Sequence, residues 1–293
     1  MFPAPFEYQR AHSTDEAVAA LAEHGADARV LAGGQSLIPA MRFRLARPPV
    51  LVDINPVKEL AYLRESDGHL AAGAGARDFS VEIAPFIAQR YHLIADASVL
   101  IADPVVRQMG TVVGSLCHND PSGDWPAVAL ASRASMLLRN AKGTRVVPID
   151  EFIVDSYTTA VADGEMAVEV RFPTPGERTS GSYQKIERKV GDFATASAAA
   201  QVTLSADGTV KEAGVSIGAL GATAMRVAAA EKLLVGNKPS KDLIAAAARE
   251  AEKLADPSAD NRGSVEYKKA MAGVLVRRAL TSAFERLGVG GLT

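Results

Sequence analysis

The chain has 293 residues, 48% hydrophobic and 23% charged, the composition of a globular protein able to bury one large core or several smaller ones. With 32 basic against 34 acidic residues, no basic block marks a nucleic-acid surface, and a phosphate ligand has to be held by local dipoles. Cys117 is the only cysteine, which excludes an internal disulfide and a self-contained iron–sulfur cluster, since such a cluster takes about four thiolates.

Met1 to Pro5 shows neither a basic n-region nor an apolar h-region, and no apolar run approaches the ~20 residues of a membrane helix. The expected location is cytoplasmic, peripheral to the membrane's inner face at most. Apolar residues at helical spacing predict a helix over Thr14 to His24, closed by Gly25. Arg29 to Leu31 reads as a short strand, Ser36 to Leu45 as a helix and Val50 to Ile54 as a strand, together a βαβ unit. A strand near His69 to Ala74 follows, then helices over Phe79 to Ala88 and Pro126 to Ala134. Asp103-Pro104 and Arg107 read as turn and helix-capping features. A hairpin turns at Asn140 to Gly143, another strand spans Ala167 to Phe172, and Pro173 to Gly176 marks a boundary. Beyond it, Ser182 to Lys189, Ala196 to Leu204 and Val210 to Gly218 predict an antiparallel sheet. Helices over Lys241 to Leu254 and Val265 to Leu287 complete the chain, N-capped by Ser240 and Ser264. The fold class is α+β.

Two glycine-and-hydroxyl segments carry the chemistry. The first, Ala32-Gly33-Gly34-Gln35-Ser36, leaves the end of a strand; the second is Gly110-Thr111-Val112-Val113-Gly114-Ser115. Glycine lets main-chain amides approach and point at one anion, and Ser36, Thr111 and Ser115 add hydroxyls. Neither segment is a Walker loop or a Rossmann fingerprint, so each alone is also compatible with a plain tight turn. Two such loops facing each other suit a diphosphate, and hence a dinucleotide. Cys117-His118 lacks partners for a metal or nucleophilic site and reads as lying beside a bound cofactor. Asp124 either caps the helix at Pro126 or accepts hydrogen bonds from sugar or ribityl hydroxyls. Glu187 to Phe193 is either a solvated strand end or, at Phe193, an aromatic that packs on a flat ring.

Ala32 to Pro39 resembles the first FAD-binding loop of molybdenum hydroxylase flavoproteins. Gly110 to Ser115 resembles the second, Asp120 to Ala127 its continuation, and Lys185 to Ala194 the block that opens the C-terminal domain. The type most similar is the medium subunit of aerobic carbon monoxide dehydrogenase and its relatives. This resemblance implies a PCMH-type FAD-binding domain over 1–175, with two α/β subdomains at about 1–57 and 58–175. A C-terminal domain with a small antiparallel sheet and helices then spans 176–293. It also implies FAD as this chain's cofactor, bound by Ala32, Gly33, Gly34, Gln35 and Ser36 and by Thr111, Val112, Val113, Gly114 and Ser115. Asp124 would reach ribityl hydroxyls, and Lys185 and Phe193 would lie near the isoalloxazine. Family members often carry tyrosine where Phe193 stands, so ring packing remains and a phenol hydrogen bond is lost.

The same resemblance implies partners: a large molybdopterin-binding subunit and a small subunit with [2Fe-2S] clusters, in a dimer of heterotrimers. No residue of this chain is then expected to act as acid, base or nucleophile, because an oxidoreductase subunit of this type relays electrons to an acceptor such as a quinone. Carbon monoxide is the expected substrate of the complex, and an aldehyde or N-heteroaromatic the alternative. A standalone flavin oxidoreductase and a non-redox scaffold are the rival readings. Val113 replaces the first of the paired glycines common in the second loop. A left-handed backbone there costs a non-glycine residue ~1–2 kcal/mol, so negative φ is expected at Val113.

Overall fold

A computed structural model describes residues 2–292. The first unit is β1 (Glu7–Arg10), α1 (Thr14–His24), β2 (Ala28–Leu31), α2 (Leu37–Arg42) and β3 (Val50–Asp53). Its three strands are parallel in the order β1-β3-β2, with the all-buried β3 in the centre. Ser13 caps α1 by accepting from the Glu16 N–H, and Ala17, Val18 and Leu21 face the core. Strand β1 lies outside the sequence reading: it is four residues long and mostly exposed, so it shows no apolar alternation.

The second unit holds β4 (Leu63–Ser66), β5 (His69–Gly73), α3 (Asp78–Glu82), α4 (Pro85–Arg90), α5 (His92–Ser98), α6 (Pro104–Met109), α7 (Val112–His118) and α8 (Asp124–Ala131). It continues with β6 (Ser135–Asn140), β7 (Gly143–Pro148), α9 (Ile149–Phe152), β8 (Ile153–Asp155), β9 (Thr158–Thr159) and β10 (Met166–Pro173). Five of these strands form an antiparallel sheet in the order β4-β5-β10-β6-β7. The single helix expected over Phe79 to Ala88 is two helices. Pro85 has no N–H to donate and holds Ala84 extended (ψ 113°), so α3 stops and α4 restarts. The second glycine segment is not a loop throughout. Thr111 N-caps α7, its hydroxyl accepting from the Gly114 N–H at 3.1 Å, so Val112 to Ser115 are helical. Val113 is accordingly absent from the positive-φ residues.

The third unit is a four-stranded antiparallel sheet, β11 (Thr179–Ile186), β12 (Ala196–Leu204), β13 (Val210–Gly218) and β14 (Met225–Arg226), with α10 (Ala228–Leu234), α11 (Lys241–Leu254) and α12 (Val265–Arg286). The strand expected to run to Lys189 ends at Ile186, because Glu187 to Asp192 leave the sheet in a turn at Gly191 (φ 84°). Ser240 and Ser264 cap α11 and α12. One apolar core joins the first two units, and a second lies between the third sheet and its helices. Helix α8 is buried along its whole length and packs on β12 and β13. There the Ser216 hydroxyl donates to the Ala127 carbonyl, and a Cβ on Gly214 would stand 1.9 Å from the Ala131 oxygen. Among the described residues no helix is long and apolar enough to cross a membrane.

Candidate cofactor-binding site

The two glycine segments meet. Gly33 follows β2 and its α-carbon faces the turn between α6 and α7. A Cβ there would stand 2.2 Å from the Met109 oxygen and 2.9 Å from the Gly110 α-carbon. Gly34 is left-handed (φ 73°), turning the chain into α2. Among the described residues, none accepts a hydrogen bond from the main-chain N–H of Gly33, Gly34, Gln35 or Ser36. Ser36 stands at the N-cap of α2 without a side-chain cap bond, which leaves its hydroxyl for another partner. Gln35 is exposed and donates to the Gly33 carbonyl at 3.2 Å. A row of unmatched donors at a strand's carboxyl end, where glycine admits a close ligand, fits a diphosphate.

On the opposite side, the Thr111 hydroxyl is engaged by its helix, and Val112 and Val113 bury their side chains in the core. They offer a ligand only main chain. Gly114 and Ser115 remain partly exposed. Beneath the turn lies Asp78, whose Oδ1 accepts from Trp125 Nε1 at 2.8 Å and whose Oδ2 would be 2.5 Å from a Cβ on Gly110. Burial pushes the Asp78 carboxyl up to about 6.

Asp124 and Lys185 also come together, though not as the sequence suggests. Asp124 is the first residue of α8, not its cap, and its carboxylate is turned inward. Oδ1 accepts from the Tyr183 hydroxyl at 2.5 Å and Oδ2 lies 3.3 Å from Lys185 Nζ. Lys185 Nζ also donates to the Leu100 carbonyl at 2.9 Å and stands 3.2 Å from Glu187 Oε2. Burial raises the Asp124 carboxyl, against the opposing pull of Lys185 and Tyr183, and it raises the Tyr183 phenol well above its ordinary value. Phe193 is 51% exposed on the loop after β11. That loop packs Gly191 against Ala102, at the entrance to α6, and Arg262 pins it through Asp192. Among the described residues no hydrogen bond joins Phe193 to either glycine segment; its main-chain N–H donates to Asp192. Cys117 lies within α7, where burial pushes its thiol up to about 12, away from nucleophilic reactivity.

Sequence reading missed Asn55, Arg77, Asp78 and Tyr183. Asn55 follows β3 at the same sheet end as Ala32, a position that could have flagged it. The chain's single tryptophan needs a buried acceptor for its N–H, which points to some carboxylate but not to Asp78 in particular. Arg77 and Tyr183 carried no local signal. A pocket of about 180 Å³ opens beside Ala32, lined by Asn55, Tyr62, Arg77 and Ser80. It is smaller than the roughly 300–1,000 Å³ of small-molecule sites and accommodates part of a dinucleotide.

Fold and site define a flavoprotein. Residues 4–175 match the family model of the FAD binding domain in molybdopterin dehydrogenase, and residues 181–283 match that of the CO dehydrogenase flavoprotein C-terminal domain. The chain is 39% identical over 286 residues to a carbon monoxide dehydrogenase medium chain from Hydrogenophaga pseudoflava, covering 98% of this chain and 99% of that one. It superposes with a TM-score of 0.94 and 40% identity on a chain of the solved carbon monoxide dehydrogenase from Hydrogenophaga pseudoflava that lacks the Mo-pyranopterin moiety, covering 98% of this chain and 99% of that one. A chain of quinoline 2-oxidoreductase from Pseudomonas putida 86 gives a TM-score of 0.91 at 30% identity, covering 99% of this chain and 100% of that one. The chain belongs to the FAD-binding medium subunits of molybdenum hydroxylases, and is an oxidoreductase subunit of the CO dehydrogenase type.

Proposed function

We propose that this chain is the electron-transfer subunit of a three-subunit molybdenum hydroxylase whose substrate is carbon monoxide. In this reading the domain boundary falls at Gly176. A large molybdopterin subunit oxidises the substrate, and a small subunit relays electrons through [2Fe-2S] clusters. FAD, when bound here, supplies the redox chemistry that passes electrons on to an acceptor such as a quinone. The assembly is a dimer of such heterotrimers. With a single cysteine, this chain supplies no cluster of its own.

The chain's own residues bind and orient. Main-chain donors of Gly33 to Ser36 and the first turn of α7, with the Ser115 hydroxyl, would close on the diphosphate from two sides, the Gly114 and Ser115 N–H groups being held within the helix by Thr111. Asp124, its oxygens already held by Tyr183 and Lys185, would share a hydrogen bond with the ribityl hydroxyls, Lys185 would set the charge near the ring, and the exposed Phe193 would offer it an apolar face. One observation carries this reading: Gly33 touches Met109 and Gly110, with unmatched N–H groups beside the contact. Carbon monoxide is supported by the likeness to the carbon monoxide dehydrogenase medium chain. The likeness to quinoline 2-oxidoreductase supports the alternative, an N-heteroaromatic substrate. Supplying the assembled complex with carbon monoxide and then with quinoline, and following bleaching of the flavin absorbance, separates the two. Bleaching by neither would remove both substrates and leave the class.

A further inference from the structure

We infer that Arg77 and Asn55 form a polar strut that fixes the spacing of the two glycine segments and brings an unpaired cation to the diphosphate they bind. This rests on the FAD reading above and deepens it. Arg77 holds the second segment twice. Its Nη1 donates to the Met109 carbonyl, and its main chain pairs with Thr111, the next residue's N–H donating to the Gly110 carbonyl at 3.0 Å. Its Nη2 donates to Asn55 Oδ1 at 2.6 Å. Asn55 Nδ2 in turn donates to the Ala32 carbonyl at 2.8 Å, one residue before Gly33. Asp53 orients that amide, accepting from the Asn55 main chain at 2.9 Å and from Nδ2 at 2.6 Å, while the Tyr8 hydroxyl donates to Asp53. An amide suits position 55, because its oxygen and nitrogen, about 2.3 Å apart, can accept from Arg77 and reach the Ala32 carbonyl at once, a span that a single hydroxyl oxygen does not cover.

Charge points the same way. Every side-chain hydrogen bond of Arg77 ends on a neutral acceptor, and the adjacent Asp78 is turned to Trp125. Asp53 and Asp78 attract the half-buried guanidinium from a distance, but among the described residues no carboxylate bonds it, so an arriving anion is favoured, and its fork of donors suits phosphate oxygens. Arg77 lies at the junction of the two segments and lines the pocket beside Ala32.

The test uses the full complex, stripped of flavin, with FAD and then ADP titrated at low and high salt. Arg77→Met is expected to weaken FAD roughly tenfold or more and to flatten the salt dependence. ADP should weaken in the same ratio, since it shares the diphosphate. Arg77→Lys should restore the salt dependence and only part of the affinity. The thermal midpoint of the flavin-free protein is read alongside. The inference is overturned if Arg77→Met binds FAD within about twofold of the parent, or if its lost affinity only tracks a lower flavin-free midpoint. Should Arg77→Met fail to fold, Asn55→Ser cuts the tie to Ala32 while leaving the cation, and must weaken FAD without changing the salt dependence. A parent complex that binds ADP but not FAD would overturn the flavin reading itself.

Discussion

The indole N–H of Trp125 donates to Asp78 at 2.8 Å, and the other oxygen of that carboxyl faces the α-carbon of Gly110. The buried start of α8 is thereby tied to the turn that carries the second glycine segment. An acid buried in this way prefers its proton. Unfolded, Asp78 titrates near 3.8; in the fold burial brings it to about 6. Between those values the folded state keeps a proton that the unfolded state has lost, so stability falls as pH rises from about 4 to 6 and then levels. The fall is on the order of 3 kcal/mol. Asp78→Asn keeps the acceptor for Trp125 and should remove it. Denaturant midpoints at either end of that range, compared between parent and variant, check the sign. An unchanged pH dependence in the variant would assign the effect elsewhere.

Gly33→Ala places a methyl 2.2 Å from a main-chain oxygen, with no flexible side chain to give way. The two segments must part. Overpacking of this kind costs roughly 1–3 kcal/mol, and the variant should also lose flavin. Flavin absorbance per protein, together with the thermal midpoint, reads both effects. A variant that keeps full flavin content would show that the contact does not shape the site.

Lys185 has only 2% of its side chain exposed, between Asp124 and Glu187. Lys185→Met leaves the buried Asp124 and the part-buried Glu187 without a cation, at a cost of about 3–5 kcal/mol. Tyr183→Phe removes one hydrogen bond to Asp124 and should cost about 1–3 kcal/mol. Because both changes act on Asp124, their effects should be non-additive in a double-mutant cycle. Strict additivity would mean that the two groups do not share that carboxylate.

Gly214→Ala would drive a methyl to 1.9 Å from the Ala131 carbonyl, between β13 and α8. The expected result is separation of the third unit from the first two, seen as two unfolding transitions by calorimetry where the parent shows one. A single transition at the parent's midpoint would mean that this packing does not couple them.

Much of the architecture was readable in the chain because its signals are local. The bounds of β12, β13 and α11 follow from alternation, helical spacing and a serine cap. The helix break at Pro85 is itself a local signal, since a proline without an N–H restarts a helix at its first turn. Helix α7 was hidden by its composition: Val112, Val113 and Gly114 are poor helix formers, and only the Thr111 cap and tertiary burial make the segment helical. The glycine segments announced themselves, but the residues that join them did not. Asn55 and Arg77 are ordinary polar residues until the parallel pairing of β2 with β3 places Asn55 beside Ala32. The inward turn of Asp124 was equally invisible, since it depends on Tyr183 and Lys185 arriving from a strand far along the chain.

The most direct measurement is the flavin content of the chain purified with its partner subunits, by absorbance and by release of the bound nucleotide. A yellow complex with one FAD per chain, lost on Gly33→Ala and weakened by Arg77→Met, is the predicted result. A folded, fully assembled complex that is colourless and does not take up added FAD would contradict it.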